Sequence, residues 1–347
     1  MARHLFQYPR DFRLESGRTL PGYHIAYTTL GEMNAQKDNV VWIFHALTAN
    51  SDPAEWWPGL VGSGKLFDPE RDFIICANMP GSCYGSLGPL DPNPETGSPY
   101  FHDFPFFTPR DMIRAYQPLK AELGIERVRV GIGGSMGGQQ LLEWAIEEPD
   151  FFENIFPLAT NAQHSPWGIA FNASQRMSIE ADATWREPRP EAGMEGMKAA
   201  RSIALLSYRH YDTYQSTQNE VEEGKTDQFR SESYQRYQGE KLAKRFNAFS
   251  YYFLSKGMDS HNVGRNRGGI AEALGRVKAR TLVIGIENDV LFPVSEQQYI
   301  ASLVPGGRFK AIQSLYGHDG FLLESGQIQE IITAFLVRNP VAKMLNS

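Results

Sequence analysis

Val128-Arg-Val-Gly-Ile-Gly-Gly-Ser-Met-Gly-Gly-Gln-Gln-Leu-Leu-Glu-Trp-Ala-Ile146 decides the fold. Its first five residues are mostly apolar and β-branched, as a buried strand requires. Its last eight carry apolar side chains at helical spacing. Between them stands Gly133-Gly-Ser-Met-Gly137. A chain that passes from strand to helix in so few residues forces the residue at the bend into a strained conformation, and small neighbours leave room for it. G-x-S-x-G recurs by chance, and a plain glycine turn is the alternative. In a strand–turn–helix setting it marks Ser135 as a candidate nucleophile, beside the N–H groups of a helix start.

Working outward, Val40-Val-Trp-Ile-Phe44, Phe73-Ile-Ile-Cys-Ala77 and Thr281-Leu-Val-Ile-Gly-Ile286 read as strands buried on both faces. That is the pattern of a mostly parallel, doubly wound sheet in an α/β protein. Residues 11–30 alternate around Gly17 and Gly22 as an antiparallel hairpin would. Thr108-Pro-Arg-Asp111 opens a helix, with Thr108 as cap, Pro109 in the first turn and Asp111 at the positive end. From residue 164 to 262 strand runs give way to Gln, Arg, Glu, Ser and Tyr in helical patterns. One of these runs from Met194 to Tyr208, after a break at Pro188 and Pro190. The expected organisation is a discontinuous core of residues 1–163 and 263–347, interrupted by a helical lid over 164–262.

The chain has 347 residues, 41% hydrophobic and 21% charged, enough to bury a large core. Its formal net charge is -6 with no basic stripe, which argues against nucleic-acid and anionic-membrane partners. Neither a signal-peptide-like apolar run at the start nor about twenty consecutive apolar residues anywhere can be found. Cys76 and Cys83 are too few for a disulfide framework and read as reduced thiols of a cytoplasmic protein. No metal site is expected, since H-E-x-x-H and i, i+4 histidine pairs are missing. The glycines of Gly81–Gly88 match neither phosphate-binding fingerprint.

A serine hydroxyl needs a base, and the base needs an acid to orient it. Strand 281–286 runs into Glu287-Asn-Asp-Val-Leu-Phe-Pro293, where Asp289, nearer the loop tip than Glu287, is the candidate acid. Tyr316-Gly-His-Asp-Gly-Phe321 then offers His318 as the candidate base. The order Ser135, Asp289, His318 is that of the α/β-hydrolase fold. For the oxyanion, two N–H donors are expected: Met136, after the nucleophile, and Leu47, in the loop His45-Ala-Leu-Thr-Ala-Asn50. His45 reads as a buried support for that loop. These residues leave esterase, peptidase, lipase and transferase open.

Longer motifs narrow the choice. His45-Ala-Leu-Thr48, the Trp56-Trp57 pair, Asn78-Met-Pro-Gly-Ser-Cys-Tyr-Gly-Ser-Leu-Gly-Pro89, Gly133-Gly-Ser-Met-Gly-Gly138, Ser207-Tyr-Arg209, Arg245-Phe-Asn-Ala248 and Gly317-His-Asp319 together resemble the homoserine O-acetyltransferase family. The resemblance implies acetyl transfer from acetyl-CoA, a co-substrate with no cofactor bound, to the hydroxyl of L-homoserine through an acyl-serine, a step toward methionine. It leaves a succinyl donor or a serine acceptor open. It implies Arg201 as the cation for the substrate carboxylate and Asp319 as the anion for its ammonium. Arg201 and Tyr208 are seven apart on a helical pattern and so share a face. The family also implies a homodimer, for which Tyr234, Phe249, Tyr251 and Tyr252 in the lid offer apolar area.

Overall fold

A computed structural model describes residues 1–337. The last ten residues of the expected core, 338–347, lie outside the described residues. Eight strands form one sheet: β1 Ala2–Tyr8, β2 Tyr23–Leu30, β3 Val40–Phe44, β4 Phe73–Ala77, β5 Val128–Gly134, β6 Phe152–Leu158, β7 Arg280–Ile286 and β8 Arg308–Ile312. Their order across the sheet is β1-β2-β4-β3-β5-β6-β7-β8. β1 pairs antiparallel with β2, and β2 antiparallel with β4. Every other pairing is parallel. The three strands read as buried on both faces are so, and β3 has all five residues buried. Apolar clusters pack against both faces, one built around Trp42, Phe44 and Trp144 and the other around Ile43, Phe156 and Ile284.

The expected hairpin over 11–30 is built differently. Only Phe12–Arg13 and Thr19–Leu20 pair around Gly17. The longer partner of β2 is β1, whose register joins Ala2 to Thr29 and Tyr8 to Tyr23. β1 has no buried-strand pattern in its sequence, because most of its side chains are exposed, as an edge strand allows.

Helix Pro109–Glu122 begins as its residues dictate. The Asp111 N–H donates to Thr108 Oγ1 at 3.0 Å, and the Thr108 N–H donates to Asp111 Oδ2 at 3.1 Å. This reciprocal pair satisfies two donors that a helix start otherwise leaves bare. The next helix, Met136–Glu147, follows β5 directly.

Between β6 and β7 lie six helices, among them Pro166–Glu180, Met194–Tyr208, Arg230–Ala243, Ala248–Asp259 and, last, the short Ile270–Leu274. An antiparallel bridge joins Gln163 to Asn262 where the chain leaves and re-enters the sheet layer. Beside that neck sits a buried ion network. Arg110 contacts Glu15 at 2.9 Å and Glu143 at 3.0 Å, while Arg267 contacts Glu143 at 2.6 Å and Glu147 at 2.5 Å. Buried charges are tolerated only with such partners. The network ties the helix after Ser135 to the returning end of the helical segment.

Candidate active site

The bend after β5 has the strain its sequence implies. Ser135 sits at φ 56° and ψ -125°, a positive φ in a residue with a side chain. Three bonds hold it there. Its N–H donates to Leu158 O at 2.9 Å, and its carbonyl accepts from Gly138 N at 3.0 Å and from the Thr160 hydroxyl at 2.8 Å. Two glycines are needed for close approach. A Cβ on Gly137 would stand 2.2 Å from Phe44 O, and one on Gly134 would stand 2.3 Å from the Phe321 ring. The bend is thereby pressed against the end of β3 and against the loop that carries His318.

His318 Nδ1 and Asp289 Oδ2 are 2.6 Å apart, both buried. The other Asp289 oxygen accepts from the N–H groups of Leu291 at 2.8 Å and Phe292 at 2.9 Å. This fixes the carboxylate and leaves one oxygen for the imidazole. The ring stacks on Phe292 at 5.1 Å and meets Phe321 edge-on at 5.4 Å. Burial alone would pull the His318 pKa down. The charge and hydrogen bond of Asp289, with Asp319 adjacent, outweigh it and hold the pKa above the ordinary value. Glu287 points elsewhere, accepting from Gln313, and it is exposed. Among the described residues no hydrogen bond joins the Ser135 side chain to His318, although both open onto one cavity. Such links often tighten only when substrate is present.

Leu47 and Met136 lie at the same end of the sheet, and among the described residues neither N–H donates to another protein group. The loop bearing Leu47 is held from below by His45. Its Nε2 accepts from the Met79 N–H at 3.0 Å, and its Nδ1 lies 2.9 Å from Ala46 O. Burial lowers the His45 pKa to about 4, so the ring is neutral and serves as a strut.

The cavity over Ser135 has a volume of approximately 490 Å³. Arg201, Tyr208 and Asp319 all line it. Arg201 lies over the Tyr208 ring at 5.3 Å, and Tyr208 lies 5.8 Å from the His318 ring. Arg201 has no carboxylate within ion-pair distance among the described residues. Asp319 is not free in the same sense. Arg209 Nη2 stands 3.2 Å from its Oδ2, while the buried Nε and Nη1 of Arg209 have no partner among the described residues. Arg209 carries no role legible in the sequence beyond its place in the Ser207-Tyr-Arg209 motif. Its position, one residue past Tyr208 at the end of a helix, was the available signal. Lys241 and Arg245, at the lid edge of the cavity, likewise have no role legible in the sequence.

The aromatic residues expected at a dimer face behave otherwise. Phe249 and Tyr251 are fully buried, while Tyr234 and Tyr252 are partly so. Helix Arg230–Ala243 packs on Met194–Tyr208, and Ala248–Asp259 packs on Pro166–Glu180 and Met194–Tyr208; Phe249 meets Phe101, His102 and Trp185, and Tyr234 meets Tyr214. Exposed apolar area lies instead on helix Pro166–Glu180, at Trp167 and Met177, 54% and 65% exposed.

Residues 39–325 match the α/β-hydrolase fold family. The homoserine O-acetyltransferase of Cyclobacterium marinum is 50% identical over 98% of this chain and 96% of its own length. The crystal structure of a homoserine O-acetyltransferase from Bacillus anthracis superposes with a TM-score of 0.88 at 25% identity, covering 96% of this chain and 97% of that one. An acetylester hydrolase from Corynebacterium glutamicum reaches a TM-score of 0.85 at 24% identity, over 96% of this chain and 95% of that one, a likeness of fold alone. No helix among the described residues is long and apolar enough to cross a membrane. With strand order, Ser135 bend and near-full-length identity in agreement, this chain belongs to the homoserine O-acetyltransferase family of α/β-hydrolase-fold enzymes.

Proposed function

We propose that this protein moves an acetyl group from acetyl-CoA to the side-chain hydroxyl of L-homoserine, with Ser135, His318 and Asp289 as its catalytic residues. One observation carries the reading. The cavity that holds Ser135 and His318 also holds Arg201, a cation with no carboxylate partner, and Asp319, an anion. A zwitterionic amino acid needs such a pair, and an ester without charges does not.

In the first half-reaction His318 takes the Ser135 proton as the oxygen attacks the thioester carbon. The oxyanion is received by the Leu47 and Met136 N–H groups. The C–S bond then breaks, His318 returns the proton to the leaving sulfur, and acetyl-serine remains. In the second half His318 takes the proton of the homoserine hydroxyl, that oxygen attacks the acetyl carbon, and Ser135 leaves with the proton restored. Asp289 stabilises the imidazolium in each half. The same residues would hydrolyse the acyl-serine if water displaced the acceptor. Methionine biosynthesis in the cytoplasm as a homodimer, with no bound cofactor, completes the reading.

The test is thiol release from acetyl-CoA and from succinyl-CoA in the presence of L-homoserine, L-serine or neither. Release that depends on acetyl-CoA and L-homoserine together is expected. Equal release without any amino acid would overturn the reading in favour of an ester hydrolase.

A further inference from the structure

The mouth of the catalytic cavity is basic in a chain whose net charge is -6. Its walls carry Arg201, Arg209, Lys241 and Arg245 against Glu55 and Asp319. Three of these charges are accounted for at the floor. Arg209 pairs with Asp319, and Arg201 lies over Tyr208 beside the base. Glu55 accepts from Asn50 at 2.9 Å and faces no cation within ion-pair distance among the described residues. Lys241 and Arg245 remain. Gln238, Lys241 and Arg245 recur at i, i+3 and i+7 along helix Arg230–Ala243 and the turn after it, so one face looks into the cavity. The Lys241 ammonium makes no hydrogen bond or ion pair among the described residues. Arg245 donates to Thr48 O at 2.5 Å and to the Tyr84 hydroxyl, both neutral, so its charge is uncompensated too.

We infer that Lys241 and Arg245 form a phosphate subsite for the acyl-thioester donor, a step that rests on the function proposed above. The donor carries its reactive thioester at one end of a long neutral arm and its phosphates at the other. Ser135 is buried at the floor, while Lys241 and Arg245 are exposed at the lid edge. An arm that reaches Ser135 therefore leaves its phosphates among these cations. A lysine ammonium is a flexible point charge and an arginine a fixed fork, and both suit phosphate oxygens. Placed at the mouth, they also raise the local concentration of an anionic donor over an acidic protein. Arg245 adds a link to chemistry, because Thr48 belongs to the loop that carries Leu47. A phosphate on Arg245 steadies the loop expected to receive the oxyanion.

The test uses Lys241→Gln and Lys241→Glu in the full chain, since Arg245 also braces Thr48 and its loss would have two causes. With acetyl-CoA and homoserine, Lys241→Gln is expected to raise the KM for acetyl-CoA roughly tenfold, Lys241→Glu more, with kcat and the homoserine KM unchanged. With S-acetylpantetheine, which has no phosphate beyond the arm, wild type and both variants are expected to coincide. Acetyl-3′-dephospho-CoA separates the sources: a Lys241 effect that disappears assigns the 3′-phosphate, and one that persists assigns the pyrophosphate. An unchanged KM for acetyl-CoA in both variants, or an equal rise with S-acetylpantetheine, overturns the subsite. If wild type released no thiol from acetyl-CoA, the proposed function would fall instead. Calorimetry with free CoA then decides the subsite, which requires binding by wild type and roughly tenfold weaker binding by Lys241→Gln.

Discussion

Arg209 Nη2 lies 3.2 Å from Asp319 Oδ2, next in sequence to the candidate base His318. The acid expected to take the substrate ammonium is therefore already paired with a cation of this chain, and both residues line the cavity.

Loss of the charges expected to hold the amino acid, Arg201 and the Arg209-paired Asp319, is expected to damage the second half-reaction selectively. Arg201→Ala is expected to raise the homoserine KM by about 30-fold or more, because removing one partner of a desolvated charge pair costs roughly 2–5 kcal/mol. Arg201→Lys falls between that variant and wild type, since it keeps charge and loses the fork. Arg209→Gln raises the homoserine KM roughly tenfold by removing the charged contact that positions the Asp319 carboxylate. In all three the burst of thiol from acetyl-CoA alone keeps its rate. A slowed burst in Arg209→Gln would show that the His318 loop itself had moved.

Ser135→Ala is expected to lose several orders of magnitude in kcat with an unchanged melting temperature. Wild type treated with acetyl-CoA alone gains one acetyl group on the peptide containing Ser135, read by mass spectrometry. Intersecting double-reciprocal lines with no labelled enzyme would mean a ternary mechanism.

The pH profile follows from the His318 pKa, which the Asp289 charge holds above its ordinary value against burial. A base must be neutral, and a raised pKa keeps the ring protonated to higher pH. The acid limb of kcat/KM is therefore expected above pH 6.5 rather than below it. Asp289→Asn removes the larger raising charge and leaves burial opposed by the Asp319 charge only, so the limb shifts to lower pH while the plateau drops by orders of magnitude. A limb that stays in place would separate His318 from the rate-determining proton transfer.

Dimerisation is expected through helix Pro166–Glu180, where Trp167 and Met177 are exposed and Trp167 is held by its Nε1–H to Val290 O at 2.7 Å. Light scattering of wild type is expected to give twice 39.1 kDa, and Trp167→Glu with Met177→Glu to give the monomer. A wild-type monomer at micromolar concentration rejects the dimer.

The sequence by itself determined what lies within a few residues of its cause. Strand, Gly133–Gly137 bend and helix are adjacent in the chain, so the strain at Ser135 was legible before any contact was known. The Thr108–Asp111 capping pair and the limits of helix Met194–Tyr208 are equally local. β6 was not legible, because Pro157 within a buried run reads as a strand breaker, whereas in the sheet it lies opposite Gly133. Only the tertiary structure decided which face of each lid helix is covered, and so buried Phe249 and Tyr251 while leaving Trp167 bare. It alone joined Arg209 to Asp319 across 110 positions and turned Lys241 toward the mouth of the cavity. A side chain's partner across such a distance is fixed by packing of whole elements, for which neighbouring residues carry no signal.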